Sequence, residues 1–331
     1  MSKERVYTLL NQHTDGYLSG EEISQQLGIS RAAIWKAVDA LRKEGYTIEA
    51  QSGQGYRLLA TPEHLCEREI RSYLPATTRV GGTILCFDTI NSTNTYCRQH
   101  ESMPDGTVVI SSQQTAGKGR MGRSFQSTDA GVFLSVLIKP DLSPASVMCI
   151  TALCGVAVCN TIETVCRIRP QIKWTNDIVL NGKKICGILT ELSLESESGA
   201  LQSLVMGIGI NVNQQASDFQ EEVRKVATSL SMELGHPVSR PQIAAALIVE
   251  LDRLYASLLQ NDTSTYLETY RRDCLTLGKE VQILRRGTAE PAFAMDIDDD
   301  FGLVVQHKDG AVETVRSGEV SVRGLYGYLP D

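Results

Sequence analysis

Three blocks of different residue patterning succeed one another along this chain, and their order limits what it can fold into. From Met1 to about Ala60, apolar residues fall at helical spacing and then alternate. A long centre to about Leu277 mixes β-rich with helical runs, and from Gly278 onward the pattern is of short strands. A chain of 331 residues is expected to hold two or three domains. The pattern is therefore α+β, divided at 1–62, 63–277 and 278–331, with Ala60-Thr61-Pro62 as the first linker.

In the first block, Val6, Leu9 and Leu10 mark a helix, and Ser19-Gly20-Glu21-Glu22-Ile23 opens a second. The turn Leu27-Gly28-Ile29 leads to Ser30, an N-cap for a helix from Arg31 to about Glu44, with Gly45 just past its end. Ile34, Val38 and Leu41 share one stripe and should face a core. Tyr46 to Leu59 alternates around Gly53-Gln54-Gly55 as a hairpin does. Helix, glycine turn, helix and hairpin together make a winged helix-turn-helix, whose second helix enters a DNA groove. Ser30 and Arg31 stand where backbone N–H groups and a guanidinium meet phosphate or base edges. Ala32 and Ala33 leave room for close approach, and Lys36 lies off the apolar stripe. Trp35 reads equally as a groove-facing or a core residue. The competing reading of the block is a module for protein contacts, because its charge is nearly balanced; turn and wing together favour DNA.

Net charge is -7, which excludes a protein basic all over but not one local basic patch. Nine cysteines are scattered without a C-x-x-C pair or a histidine at ligand spacing, so reduced, structural thiols and no metal site are expected. The charged opening Met1 to Arg5 lacks the apolar stretch of a signal peptide. The longest apolar run, Val147 to Val158, is interrupted by Thr151 and Gly155 and reads as too short for a bilayer. A cytoplasmic protein without a membrane partner is expected.

In the centre, β-structure is expected at Gly106 to Ser112 and Gly131 to Ile138, with helices over Pro144 to Val165 and Arg240 to Leu259. Between those strands lies Gln114-Thr115-Ala116-Gly117-Lys118-Gly119-Arg120-Met121-Gly122-Arg123. Glycines interleaved with cations suit a loop that wraps an anion, since glycine admits close backbone approach and arginine offers a planar fork. It is neither a P-loop, for want of G-x-x-x-x-G-K-[ST], nor a dinucleotide fingerprint, for want of a following helix. A solvated basic loop, or a second nucleic-acid patch, competes. At the C-terminus, strands are expected at Val281 to Leu284, Phe293 to Ile297, Leu303 to Gln306 and Val312 to Val315. The turns Arg286-Gly287 and Asp309-Gly310 between them suggest a small barrel.

Five motifs in order resemble those of biotin–protein ligases: Asp88-Thr89-Ile90-Asn91-Ser92-Thr93-Asn94, the loop Gln114 to Arg123, Lys173-Trp174-Thr175-Asn176-Asp177, Lys183 to Glu191, and Gly207-Ile208-Gly209-Ile210-Asn211-Val212. With the N-terminal winged helix and the C-terminal small barrel, the chain resembles the bifunctional members that also repress biotin genes. The resemblance implies a central mixed α/β domain related to class II synthetases and lipoate ligases, and an SH3-like C-terminal barrel. It implies biotin and ATP as substrates, Mg²⁺, a biotin carboxyl carrier protein of acetyl-CoA carboxylase as acceptor, biotin operator DNA, and a ligand-promoted homodimer.

By the same resemblance, Ser92, Thr93, Asn94 and Gln114 meet the biotin ring, and Lys118, Gly119, Arg120, Lys184 and Gly187 surround its carboxylate. Arg120 and Lys184 carry the chemistry, and Arg120, Arg123, Phe125, Asn176, Asn211 and Arg323 meet ATP or the adenylate. Read locally, Ser92-Thr93-Asn94 is also a helix N-cap, Lys183-Lys184 a solvated pair, and Asn176-Asp177 an Asx turn. The chain departs from the family pattern at Phe125, where Trp is common, at Thr175, where Pro is common, and at Lys118, where Arg is frequent. A lipoate ligase and a non-catalytic ligand-sensing regulator are the rival readings.

Overall fold

The computed structural model describes residues 2–13, 16–60, 64–285, 288–316 and 319–322. It divides into two compact units, Met1–Tyr73 and Leu74–Asp331.

The first unit runs α1 (Ser2–Gln12), α2 (Gly20–Leu27), α3 (Arg31–Lys43), β1 (Thr47–Gln51), β2 (Gly55–Ala60) and α4 (Glu67–Tyr73). Its helix starts are written locally. Ser19 Oγ accepts from Glu22 N at 3.1 Å while the Glu22 carboxylate accepts from Ser19 N at 2.8 Å, a reciprocal cap. Gly28, at φ 64°, ends α2 in a conformation glycine adopts freely. Val6, Leu10, Ile23, Ile34, Val38 and Leu41 pack with Ile48 and Leu58 from the antiparallel hairpin. Arg42 donates to Ile48 O from Nε at 3.0 Å and from Nη2 at 2.6 Å, so this cation holds the wing to α3. Helix α4 joins through Glu69, a buried carboxylate that accepts from the Tyr7 hydroxyl at 2.8 Å and from the Tyr46 hydroxyl. Burial, with this carboxylate beside them, pushes both phenols above the ordinary tyrosine range. The first unit thus takes in α4 and ends at Tyr73; Thr61 and Pro62 lie outside the described residues.

The second unit is built on a seven-stranded sheet. In chain order its elements are β3 (Ile84–Ile90), α5 (Thr93–Gln99), β4 (Thr107–Gln114), β5 (Val132–Ile138), α6 (Ile150–Cys166), β6 (Gln171–Lys173), β7 (Asp177–Leu180), β8 (Lys183–Leu194), β9 (Leu201–Ile210), α7 (Glu221–Val226), α8 (Leu230–Leu234), α9 (Arg240–Leu259) and α10 (Ser264–Asp273). The strand order is β3-β4-β5-β9-β8-β7-β6, with β3 and β4 parallel and every other pair antiparallel. Strand β5 is buried at every position, which is why it reads as an apolar run, broken only at Ser135, rather than as an alternation. Helix α6 packs on α9 and against the sheet. The expectation that no apolar run reaches membrane length needs correction. The helical stretch Ala145–Cys166 meets that length and composition, since Thr151 and Gly155 interrupt the run but not the helix. Its most apolar window is 67% buried, so core packing accounts for it.

The chain ends in a five-stranded antiparallel sheet of order β13-β12-β11-β10-β14, made by β10 (Glu280–Arg285), β11 (Thr288–Ile297), β12 (Leu303–His307), β13 (Val312–Val315) and β14 (Glu319–Val322). Val281, Ile283, Ala294, Leu303, Val305 and Val320 are buried there. The turn Arg286-Gly287 lies outside the described residues, while Gly310 turns at φ 88° between β12 and β13. The Phe301 carbonyl, between β11 and β12, accepts from Trp174 Nε1 at 3.0 Å, and its ring meets Tyr270 edge-on at 5.6 Å. The C-terminal sheet is thereby tied to the segment joining β6 and β7.

Candidate active site and DNA-facing surface

Two adjoining clefts open over the sheet. The first, of about 470 Å³, is lined at one end by Ser92, Thr93, Asn94 and Gln114 and at the other by Lys118, Gly119, Arg120 and Lys184. The second, of about 640 Å³, adds Arg123, Lys173, Asp177 and Val320. Gly119, Arg120, Phe125, Asn176 and Lys184 line both.

Ser92 caps α5, its Oγ accepting from Thr95 N at 3.4 Å, and also borders the first cleft, so the cap does not remove it from the cleft. Gln114 closes that end, accepting from Thr93 N at 2.9 Å. Strand β9 can pass beneath only because its residues are small. A Cβ at Gly207 would stand 1.9 Å from Asn94 Oδ1, and one at Gly209 would stand 2.7 Å from Phe125 Cε1. Gly187, opposite Gly209 on β8, leaves the same space for the other edge of the Phe125 ring, 2.8 Å from where its Cβ would be.

The basic loop folds as a short antiparallel turn: Gly119 N donates to Arg123 O at 2.7 Å, and Phe125 N to Gly117 O at 2.9 Å. Arg120 Nη1 donates to Asn176 Oδ1 at 2.8 Å, and Asn176 Nδ2 to Ile188 O at 3.2 Å. Asn176 therefore bridges loop and sheet, which the Asx-turn reading of the sequence does not provide. Lys184 is half-buried rather than one of a solvated pair, with Nζ 2.6 Å from Asp177 Oδ1 and 5.8 Å from the Phe125 ring centre. In a regular strand Lys184 and Gly187 would face opposite sides. Pairing of β7 with β8 slips between Ile178 and Val179, leaving Ile185 as an extra residue, and this bulge turns both into the cleft.

The structure brings together every candidate of the central block except Asn211. That residue follows β9 outside the cleft lining, buried, with Nδ2 donating to Thr228 O at 3.0 Å; its Oδ1 has no hydrogen-bond partner among the described residues. Arg323 lies outside the described residues. Sequence reasoning gave no role to Lys173, a lysine only 3% exposed that lines the second cleft, nor to Ser127 and Ser135. All nine cysteines are free thiols, and burial pushes Cys97 up to about 12 and Cys274 up to about 11, the wrong direction for a thiolate nucleophile. Among the described residues, no three His, Cys, Asp or Glu side chains gather as a metal site.

On the first unit, Arg31, Ala32, Trp35 and Lys36 form the outer face of α3, and Trp35 is 59% exposed, which settles it as a surface residue. Ser30 Oγ accepts from Ala33 N at 3.2 Å as the N-cap, and the polar wing tip Gln51-Ser52-Gly53-Gln54 is exposed.

A winged helix-turn-helix joined to a domain holding two cation-lined clefts defines a class in which DNA binding and ligand activation share one chain. A model of the biotin/lipoate A/B protein ligase family matches residues 86–211, and a helix-turn-helix domain model matches residues 3–57. The bifunctional ligase/repressor BirA of Bacillus subtilis is 34% identical over 323 residues, covering 97% of this chain and 98% of that protein. That of Salmonella typhimurium is 28% identical over 319 residues, covering 96% and 97%. The biotin protein ligase of Aquifex aeolicus in complex with biotin and ATP shares the fold at a TM-score of 0.64 and 24% identity, across 73% of this chain and 99% of that one. This chain belongs to the bifunctional ligase/repressor family, with a biotin/lipoate-ligase-type central domain.

Proposed function

We propose that this protein activates biotin with ATP to biotinyl-5′-adenylate, transfers biotin to a lysine of a biotin carboxyl carrier protein, and represses biotin genes by binding operator DNA. One observation carries the enzymatic reading: Arg120, Asn176 and Lys184 line both clefts, so a carboxylate in the first and a phosphate in the second meet on shared cations. With the biotin ring against Ser92, Thr93 and Gln114, its carboxylate points toward Lys118, Arg120 and Lys184. The carboxylate oxygen attacks the α-phosphorus, the bond to the β-phosphate oxygen breaks, and pyrophosphate leaves. The acceptor lysine amine then attacks the mixed anhydride carbonyl and AMP departs. Neither step needs an enzyme nucleophile; catalysis comes from orienting two anions and neutralising them.

Lys184 neutralises the point where carboxylate and α-phosphate meet, and Asp177 aims its ammonium there. Arg120, steadied by Asn176, folds over the pair from the loop. In this reading Arg123 and Lys173 meet the outer phosphates and Phe125 the adenine face, while Asn211, outside the cleft lining, keeps its nucleotide role from the resemblance alone. Arg323, outside the described residues, is assigned to the nucleotide from the family resemblance alone. The carboxylate of Asp177 in the second cleft suits Mg²⁺, which is commonly held by one or two carboxylates together with substrate phosphates. Bound there, the ion supplies charge neutralisation of the departing pyrophosphate. A cytoplasmic site of action follows from these substrates. ATP–pyrophosphate exchange that depends on biotin is expected; exchange supported by lipoate and not biotin would overturn the substrate assignment.

For DNA, Ser30, Arg31, Ala32, Ala33, Trp35 and Lys36 form the reading face. Arg31→Ala and Lys36→Ala are each expected to weaken operator binding by about tenfold and to flatten its salt dependence by about one unit of slope, leaving biotin–AMP formation unchanged. Electrophoretic shift titrations across salt check this, and unchanged operator affinity in both variants would contradict it. A two-fold operator calls for a dimer, and loop closure over biotinyl-adenylate would favour one. Sedimentation velocity with biotin plus ATP is expected to show dimer where the free protein shows monomer; monomer under both conditions would contradict ligand-promoted assembly.

A further inference from the structure

We propose that Ser127 and Ser135, neither of which lines the cleft, set the hydrogen-bond polarity of its ring end so that it takes a cyclic urea and discriminates against an imino analogue. The inference rests on the biotin reading above. Ser127 Oγ spends its proton on Phe125 O at 3.0 Å, so toward Gln114 it can only accept, from Nε2 at 2.9 Å. Together with the Thr93 backbone N–H, that holds the Gln114 amide one way round, its oxygen toward Thr93, where it accepts from the backbone N at 2.9 Å and from the hydroxyl at 3.2 Å. Thr93 has then spent its proton, and Ser135 Oγ, fully buried, shares its single proton between Thr93 Oγ1 at 2.7 Å and Asn94 Oδ1 at 2.6 Å. One lone pair of Thr93 Oγ1 and one N–H of Gln114 Nε2 remain unspent in this network.

Asn94 adds nothing to that pair. Its Nδ2 donates to Leu189 O at 3.1 Å and to Glu191 Oε2 at 2.9 Å, while Oδ1 accepts from Ser135 at 2.6 Å. Both its protons are used inside the protein, so Asn94 is a strut between α5 and β8 rather than a contact to the ring. Gly117 seals the other side, since a Cβ there would stand 2.6 Å from Ser127 Oγ. Beside the Ser92 hydroxyl, which borders the same end, this network presents one acceptor next to one donor. A ureido group presents the complement, an N–H beside a C=O. A dithiolane offers neither partner, and an imino group in place of the carbonyl sets N–H against N–H.

Ser127 and Ser135 are positioning residues, so the test reads selectivity as well as affinity. Full-length protein is titrated calorimetrically with biotin and with iminobiotin, and the KM for ATP is measured alongside. Ser127→Ala leaves the Thr93 backbone N–H alone to orient the Gln114 amide and so loosens it, and is expected to weaken biotin by about tenfold while narrowing the biotin-to-iminobiotin ratio by about tenfold, with KM for ATP unchanged. Ser127→Cys, nearly the same shape with a weak donor, is expected to move the ratio in the same direction, which separates hydrogen bonding from packing. Ser135→Ala is expected to weaken biotin by about tenfold. An unchanged ratio in both Ser127 variants, whether the affinities hold or fall in parallel, would overturn the proposal. Wild-type protein that binds lipoate and not biotin would overturn the reading beneath it instead.

Discussion

Lys184→Ala is expected to lower the rate of biotinyl-adenylate formation by about a thousandfold while weakening biotin binding by less than about tenfold. The asymmetry follows from where the ammonium sits. Lys184 lines both clefts, at the far end from the polar ring contacts, so it meets charge that concentrates when carboxylate and α-phosphate come together. Ground-state binding still has Ser92, Thr93, Gln114 and Arg120. Truncation also leaves the Asp177 carboxylate, 2.6 Å from the lost ammonium and largely buried, facing the incoming anions. Lys184→Arg keeps the charge but changes its reach from the bulged strand, and a partial loss is expected. Single-turnover AMP transfer and equilibrium biotin titration separate the two effects. Equal losses in binding and rate would show that Lys184 serves biotin affinity alone.

Gly207→Ala is expected to abolish biotin binding in practice, by more than about a hundredfold, and to lower stability by about 2–4 kcal/mol. A new Cβ would lie 1.9 Å from Asn94 Oδ1 and 2.6 Å from its Cγ. Asn94 cannot swing aside cheaply, because its amide is held by Leu189, Glu191 and Ser135. Displacing it breaks those bonds, leaves buried polar atoms unpaired, and shifts the start of α5, which carries Thr93. The thermal midpoint should fall with biotin affinity. A variant that keeps the wild-type midpoint and binds biotin within a factor of about three would contradict this account of the packing.

Much of this was legible in the sequence, for identifiable reasons. The winged helix was, because its ends are local: Ser19 with Glu22, Gly28 and Ser30 act within a few residues of themselves. Helix α9 was, for its long apolar pattern behind a Ser239 cap and Pro241. Strand β11 was foreseen only from Phe293; it begins at Thr288, because Pro291 sits in the paired strand where a proline discourages that reading. Helix α4 was missed, since seven residues with two buried positions carry little periodicity. The cleft residues were legible as motifs, but their geometry was not. No local pattern shows that Ile185 is a bulge, or that Asn176 answers Arg120 across 56 positions. Ser127 and Ser135 were invisible because their work is hydrogen-bond direction.

The most direct test of the central claim is labelling of a biotin carboxyl carrier domain by the full-length protein with biotin and ATP, with pyrophosphate release followed in the same reaction. The account predicts labelled carrier and stoichiometric pyrophosphate, both lost in Lys184→Ala. Biotin binding without pyrophosphate release would contradict it, and would leave a biotin-sensing repressor in place of a ligase.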